Sequence, residues 1–251
     1  MTRPKIISAP LGRAVAVLAV TGAVLLAVAL TVGLTLVGRH GGGPVRGLDR
    51  HVGSWFLDHR YLIGLAKVIA TVGDAALLGV VCVVLTLALL AWRRTPLMLA
   101  PLAGYLGGEG LVYLTRAVVH RDRPPTADYP APGALAGIHE TTWSFPSGHA
   151  TAVTALLFAG LGAVALTRRT LWPWLVAAAG SLYVAASRLD LGVHWFTDVA
   201  TGWVLGTVWG VTVALVAVRL AAGYGVPANR YERPRHSSST ATSTSGPVDG
   251  P

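Results

Sequence analysis

Long uncharged apolar runs alternate with short polar segments along the chain, and the runs have the length of membrane-spanning helices. The first run, 14–38, lies between Arg13 and Arg39 and contains no charged residue. A helix needs about 20 apolar residues to cross a bilayer, so this run is long enough. The same pattern predicts six spans, at 14–37, 73–92, 97–118, 149–167, 171–188 and 195–219.

The first run has an alternative interpretation as a secretory signal peptide, because Arg3, Lys5 and Arg13 precede it. The apolar part of such a signal has only about 7–15 residues and leads to a cleavage site with small residues. This run is longer, and no such site stands out before Arg39. We therefore predict a retained helix.

The connections between the spans predict the domain organisation. Arg-Arg-Thr occurs at 93–95 and again at 168–170, as two tight connections. The longer connection at 38–72 predicts a short amphipathic helix at the membrane interface, with Trp55 and Phe56 as anchors. The end of the chain is polar and rich in Ser and Thr. We expect a cytoplasmic N-terminus at 1–13, a membrane domain at 14–223 and a disordered cytoplasmic tail at 224–251.

Composition supports a membrane protein and argues against a nucleic-acid partner. Hydrophobic residues make up 53% of the chain and charged residues 12%, whereas about a quarter of an ordinary soluble domain is charged. The net charge of +9 comes from Arg and Lys residues that lie mostly at the ends of apolar runs. That placement is typical of membrane topology and of contact with anionic lipid headgroups. The two double-arginine connections predict that both termini are cytoplasmic.

Three polar stretches interrupt the predicted bundle where ionisable side chains are unfavourable, which makes them candidates for function. They are RAVVHRDRPP at 116–125, PSGH at 146–149 and SRLDLGVHWFTD at 187–198. In the alternating topology all three lie on the outer face. We therefore predict one site on that face.

The residues of these stretches predict an anion-binding site. Arg116, Arg123 and Arg188 carry planar charged groups that fit phosphate oxygens. Ser147 and Gly148 stand at a helix start, where backbone N–H groups favour an anion and glycine leaves room for it. The alternatives are that Pro-Ser-Gly is only a turn and an N-cap, and that the arginines reach for lipid headgroups.

Two histidines and a carboxylate predict phosphoryl transfer at this site. His194 and Asp198 are four residues apart and would share one face of a helix. A carboxylate bonded to one ring nitrogen leaves the other free to attack phosphorus. His149 would protonate the leaving oxygen, and the arginines would stabilise the transferred group. His194 and Asp198 are alternatively a structural pair.

A metal site is the competing interpretation, because His149, His194 and Asp198 are all possible ligands. Arginines nearby would repel a cation. We therefore expect neither a metal nor another cofactor.

The three stretches resemble the motifs of the type 2 phosphatidic acid phosphatase superfamily, which includes the vanadium haloperoxidases. The family pattern is Lys-x6-Arg-Pro, Pro-Ser-Gly-His and Ser-Arg-x5-His-x3-Asp. The second motif is complete at 146–149 and the third at 187–198. The first is present at 116–124 with Arg116 in place of the lysine, which keeps the charge and changes the donor geometry.

The resemblance implies a fold, roles and a substrate class. Members in membranes are all-α six-helix bundles that act on lipid phosphates and pyrophosphates without a metal. By resemblance, His194 would form a phosphohistidine, Asp198 would orient it and His149 would be the acid. The implied phosphate ligands are Arg116, Arg123, Ser147, Gly148 and Arg188.

We therefore expect a cell-membrane phosphatase that hydrolyses a lipid phosphate or polyprenyl pyrophosphate at the outer face. A lipid-linked phosphotransferase with the same site is one alternative. A non-catalytic lipid-binding or transport protein is another, although it would not need an oriented nucleophile and an acid. A haloperoxidase is disfavoured because those relatives are soluble. The sequence gives neither the lipid nor the oligomeric state.

Overall fold

All regular structure in the described part of the protein is helical, which confirms the all-α fold class. A computed structural model describes residues 8–38, 42–59, 96–125 and 142–223, with single positions between 64 and 87. The helices are α1 (Ser8–Val32, continued by a π-helical turn at Gly33–Val37), α2 (Arg46–His59), α3 (Ala100–Arg116, after a 3-10 turn at Pro96–Leu99), α4 (Gly148–Arg168), α5 (Trp172–Asp190) and α6 (Phe196–Gly223).

Five of the six predicted spans match described helices to within a few residues at each end, except that α1 begins earlier than expected. The second predicted span, 73–92, lies largely outside the described residues. Its described positions are helical, and among them Cys82 packs with Tyr105 of α3 and Ala152 of α4. The predicted tail at 224–251 also lies outside the described residues.

The outer surface of the bundle is suited to lipid, and the protein is a multi-pass membrane protein. Four of the described helices are long and apolar enough to cross a membrane, at Leu11–Val37, Leu97–Arg116, Gly148–Arg168 and Phe196–Gly223. Large apolar side chains point outward on the peripheral helices, such as Val20 on α1 and Leu175 on α5. Such an exposed apolar surface would be unfavourable in water.

The predicted short helix is present as α2, but its two aromatic residues differ in environment. Trp55 is half exposed, as expected of an interface anchor. Phe56 instead packs against a buried cluster formed by Ala150, Ala185, Leu189 and Val199 from the three helices α4, α5 and α6. The helix is therefore attached to the core of the bundle through Phe56.

Helix α4 is the centre of the bundle because glycines allow its neighbours to reach its backbone. A Cβ atom on Gly206 of α6 would lie 2.3 Å from the carbonyl oxygen of Thr151, and one on Gly210 would lie 2.6 Å from that of Ala155. On the α3 side, a Cβ atom on Gly104 would also lie 2.6 Å from the Ala155 oxygen. Small residues spaced four apart are the usual way for membrane helices to pack this closely.

We expect Gly206→Ala to lower the apparent melting temperature of the protein in detergent. The new methyl group would meet backbone that cannot move aside, and overpacking of this kind costs about 1–3 kcal/mol. Gly110→Ala on α3 is the matched control, because no atom lies within 4 Å of a Cβ atom placed there. Equal melting temperatures for the two variants would contradict the close α4–α6 packing.

The chain order of the helices brings the three polar stretches to one end of the bundle. The N–H of Ser147 donates to the carbonyl oxygen of Asp198 at 3.1 Å, which joins the starts of α4 and α6. After the end of α3, the Arg123 guanidinium donates to the carbonyl oxygen of Val193 at 2.8 Å, in the turn between α5 and α6. Residues from three separate stretches therefore line one site.

Candidate active site

His194 and Asp198 face each other, but not across a helix as the sequence predicted. His194 lies in the turn before α6, because that helix begins only at Phe196. Asp198 reaches back to accept the Trp195 N–H at 3.0 Å, an arrangement like a capping box. This places Oδ2 of Asp198 3.5 Å from Nδ1 of His194, longer than a usual hydrogen bond.

The Asp198 carboxylate is fully buried and both of its oxygens are engaged. Oδ2 also accepts a short hydrogen bond from the hydroxyl of Ser144, which lies 3.5 Å from Nδ1 of His194. Oδ1 accepts a short hydrogen bond from the guanidinium of Arg121. Contacts on both oxygens fix the plane of the carboxylate, so that Oδ2 is the oxygen turned towards the imidazole.

The second ring nitrogen of His194 points at an arginine. Nη1 of Arg123 lies 3.2 Å from Nε2 of His194. A guanidinium can only donate, so Nε2 accepts and the ring proton belongs on Nδ1, beside Asp198. This tautomer leaves the Nε2 lone pair directed at a cation.

Thr142 joins the two arginines of the first motif. Its hydroxyl accepts from Nη1 of Arg116 at 3.0 Å and from Nη2 of Arg123 at 3.2 Å. Arg116 also donates from Nε and Nη2 to the carbonyl oxygen of Pro146, at 3.2 and 3.0 Å. A Cβ atom on Gly148 would lie 3.6 Å from Nη2 of Arg116, so the glycine keeps open the space beside that guanidinium.

His149 meets the same group of charges from the start of α4. It interacts electrostatically with Arg188, with His194 and with the two arginines joined by Thr142. Its Nε2 is buried and has no hydrogen-bond partner among the residues that the structure describes. Arg188 is fully buried in the last turn of α5, where its Nε and Nη2 donate to the Ser187 hydroxyl. The two histidines and three arginines therefore form one cluster.

Ser147 has a structural task in this site. It is the N-cap of α4, and its hydroxyl accepts from the N–H of Ala150 at 3.5 Å. The residue is fully buried, and its own N–H is bonded to Asp198. The turn and N-cap interpretation is therefore correct for Ser147, while its contact with phosphate stays a prediction.

Four polar residues of the site were missed from the sequence. They are Asp49, Arg121, Thr142 and Ser144. Arg121 lies within the first polar stretch, two residues before the motif arginine, and that position was the available signal. Asp49 lies on α2 and reaches the site only through the fold, as an ion pair with Arg121 at 2.5 Å.

The described residues include no group of three or more His, Cys, Asp and Glu side chains placed to hold a metal ion. Asp198 is instead surrounded by donors, and the histidines are surrounded by arginines. This arrangement favours the binding of an anion rather than a cation.

We expect His194 to stay neutral well into the acid range. The pKa of His194 is lowered to about 4, chiefly by burial; the hydrogen bond to Asp198 opposes this shift and the charge of Arg123 adds to it. Because the pKa is lowered, the neutral ring predominates above about pH 4, and it gains a proton only as the pH falls through that value. Ring resonances of 15N-histidine-labelled protein, assigned with His194→Gln, would show this, whereas a midpoint near 6.5, the ordinary value, would contradict it.

Comparison with known proteins decides the family. The family model described as the PAP2 superfamily matches residues 97–221. A decaprenylphosphoryl-5-phosphoribose phosphatase of Mycobacterium tuberculosis is 30% identical over 162 residues, which cover 64% of this chain and 84% of that protein. The chain belongs to the PAP2 superfamily. The region that matches the PAP2 model contains all three polar stretches.

Two further likenesses agree with a membrane PAP2 protein. An undecaprenyl-diphosphatase of Sulfolobus acidocaldarius is 40% identical over 68 residues, and this match covers 27% of the chain and 30% of that protein. The crystal structure of a transmembrane PAP2 type phosphatidylglycerolphosphate phosphatase from Bacillus subtilis has a TM-score of 0.58 at 20% identity, covering 85% of this chain and 98% of that one. At this identity the structural likeness shows the fold alone.

Proposed function

We propose that the protein hydrolyses a lipid phosphate or a polyprenyl diphosphate through a phosphohistidine at His194, without a metal. The observation that carries the proposal is the orientation of His194. Nδ1 faces a buried carboxylate, and Nε2 faces a guanidinium at 3.2 Å. A neutral imidazole held in this way is a nucleophile aimed at the place where arginines would bind a phosphoryl group.

In the first step, Nε2 of His194 attacks phosphorus and the bond from phosphorus to the leaving oxygen breaks. Asp198 stabilises the positive charge that develops on the ring, and the Nδ1 bond to it shortens as that charge grows. His149 gives a proton to the leaving oxygen, which departs as an alcohol or a phosphate. A bound phosphoryl group places negative charge beside His149 and so favours its protonated form.

In the second step, water attacks the phosphorus of the phosphohistidine and gives a proton to His149. The bond between nitrogen and phosphorus breaks, inorganic phosphate leaves, and His194 returns to its neutral form. The arginines at 116, 123 and 188 stabilise the charge on the equatorial oxygens in both steps. Their fixed charges supply the electrostatic stabilisation that a metal ion supplies in other phosphatases.

The substrate class is proposed from the relatives and from the surface of the bundle. The curated relatives are named for a prenyl diphosphate and for a prenyl-linked sugar phosphate, and the structural relative for a phospholipid phosphate. A lipid anchor is common to all three. The site at the end of an apolar bundle would take the phosphate from water and leave the hydrocarbon chain in the bilayer.

Phosphate release by the purified protein in detergent tests the function. Phosphatidate, phosphatidylglycerol phosphate and undecaprenyl diphosphate form the panel, each with and without EDTA. We expect release from at least one of the three lipids, and the same rate with EDTA. Loss of activity with EDTA would contradict the metal-free mechanism, and transfer only to an added alcohol would favour a phosphotransferase.

We also propose that the site faces the outside of the cell and that both termini are cytoplasmic. The double arginine at 168–169 stands at the end of α4 opposite the site, as expected of a cytoplasmic connection. A cysteine at Thr170, in a Cys82→Ser background, would be protected from a membrane-impermeant maleimide in intact cells. A cysteine at Asp122, which is exposed beside the site, would be labelled, and the opposite result would invert the topology.

A further inference from the structure

Asp198 is bonded on the side away from His194 to a residue that the motifs do not include. Arg121 donates from Nη1 to Oδ1 of Asp198 and from Nη2 to Oδ2 of Asp49, the latter at 2.5 Å. We propose that Arg121 and Asp49 are positioning residues for the reaction, holding Asp198, and through it His194, in the geometry for attack. This inference rests on the proposed function.

Burial is the first reason for this role. Arg121 is 1% exposed, and Asp49 and Asp198 are fully buried. A charge in such a place is costly unless it is paired and hydrogen-bonded. One guanidinium lies between two carboxylates, so each carboxylate has a partner. Removal of Arg121 would leave two buried acids facing each other, and Asp198 would turn or take up a proton.

The orientation of Asp198 is the second reason. Arg121 occupies Oδ1, and this leaves Oδ2 as the oxygen that faces the imidazole. The Arg121 guanidinium also lies over the ring of Trp195, 5.2 Å from its centre, at a distance typical of a cation–π contact. Trp195 follows His194 in the chain. Arg121 therefore contacts both Asp198, which faces His194, and Trp195, which is next to it in sequence.

Asp49 anchors the arginine from the opposite side and fixes the start of α6. Its Oδ1 accepts from the N–H of Thr197 at 2.8 Å, and its Oδ2 accepts from the Thr197 hydroxyl at 2.9 Å. That hydroxyl in turn accepts from Nη1 of Arg121 at 2.9 Å. Asp49 therefore caps the helix that carries Asp198, although it belongs to α2. The amphipathic helix is thereby part of the catalytic architecture.

Direct contact of Arg121 with the phosphate is a different role, and the geometry disfavours it. The guanidinium is bonded to two carboxylates and is closed off from solvent. Their combined charge exceeds its own, so the Asp49–Arg121–Asp198 group offers no net attraction for an anion. In the proposed mechanism, the arginines at 116, 123 and 188 bind the phosphate.

The test compares Arg121→Gln, Arg121→Lys and Asp49→Asn with the wild type. Ser181→Ala is the structural control, because it removes the hydrogen bond that Nε1 of Trp203 on α6 donates to the hydroxyl of the buried Ser181 on α5. Steady-state kinetics would be measured in detergent, well below each variant's melting temperature, with whichever of phosphatidate, phosphatidylglycerol phosphate and undecaprenyl diphosphate the wild type hydrolyses fastest. The melting temperature of every variant would be recorded in the same buffer.

A positioning role predicts a loss in kcat rather than in KM. We expect Arg121→Gln to lower kcat about 100-fold with KM within about threefold, because binding groups are untouched. Arg121→Lys should have a kcat about tenfold higher than Arg121→Gln, since lysine restores one charged contact. Asp49→Asn should lower kcat about fivefold relative to the wild type. Ser181→Ala should melt earlier with kcat within about twofold of the wild type.

The outcomes distinguish failure of the positioning role from failure of the proposed function. Wild-type kcat in Arg121→Gln, or an equal loss of kcat in Ser181→Ala at a similar fall in melting temperature, would overturn the positioning role and leave the proposed function intact. If Arg121→Gln fails to fold, wild-type kcat in both Arg121→Lys and Asp49→Asn would overturn it. No release by the wild type from any of the three lipids would overturn the inference together with the function.

Discussion

Replacing His194 with alanine is expected to reduce hydrolysis of every substrate by about 10⁵-fold or more, as loss of a nucleophile does elsewhere. The alanine removes the atom that bonds to phosphorus, and none of the residues that the structure describes offers a second nucleophile at that position. His149 lies in the same cluster, but no described carboxylate bonds to its ring to orient it as Asp198 orients His194. Binding should suffer less than turnover, because the arginines remain.

The measurement is both turnover and trapping of the covalent intermediate. Protein mixed with a 32P-labelled lipid phosphate would be quenched in alkali, where phosphohistidine survives, and the label on protein counted. His51→Ala is the matched control, since His51 is exposed on α2. We expect label on the wild type and on His51→Ala, and none on His194→Ala. More than about a hundredth of wild-type turnover in His194→Ala would contradict the mechanism.

Replacing His149 with glutamine is expected to have an effect that depends on the leaving group. An alkoxide or phosphate needs a proton to depart, and general acid catalysis supplies about 10²–10⁴-fold in such cases. A 4-nitrophenolate departs without one. We expect about a 10³-fold loss with phosphatidate and only about a tenfold loss with 4-nitrophenyl phosphate.

The comparison of the two variants separates the roles of the histidines. His194→Ala should lose the same large factor with both substrates, because attack on phosphorus is common to them. Equal losses with both substrates in His149→Gln would show that His149 holds the phosphate and does not protonate the leaving oxygen.

The sequence was sufficient for the parts of the fold that depend on local pattern. Continuous apolar runs predict helices in a membrane protein because the bilayer requires every backbone polar group to be bonded within its own segment. Spans such as 149–167 were therefore placed to within a residue of α4. The start of α6 was also predicted to within a residue, at 195 against Phe196, but the turn before it, in which Asp198 reaches back to the N–H of Trp195, was not.

The same distinction applies to the residues of the site. Those in local motifs could be predicted from the sequence, whereas those that meet only through the fold could not. His194, Asp198 and the arginines could be named because their spacing follows motifs in single stretches. Asp49 could not, because its ion pair with Arg121 joins positions 72 apart in the chain. Ser144 was also missed, because a serine between two aromatic residues has no distinctive signal until the chain turns it towards Asp198.

The structure also gives a reason for arginine at position 116, where the family usually has lysine. The guanidinium of Arg116 bridges two acceptors, the Pro146 carbonyl oxygen and the Thr142 hydroxyl. An ammonium group is a point charge on a flexible stem and holds such a fork less firmly. Arg116 therefore connects the first motif to the second in addition to carrying charge.

The glycine contacts around α4 bear on how a long hydrocarbon chain enters. Helices α3 and α6 approach the backbone of α4 so closely that a Cβ atom on Gly206 or Gly104 would lie 2.3 or 2.6 Å from its carbonyl oxygens. Helices packed this closely cannot readily move apart or shift against each other. Among the helices that the structure describes, a sideways opening for a lipid tail is therefore expected along α1, α2 or α5 rather than between α3, α4 and α6.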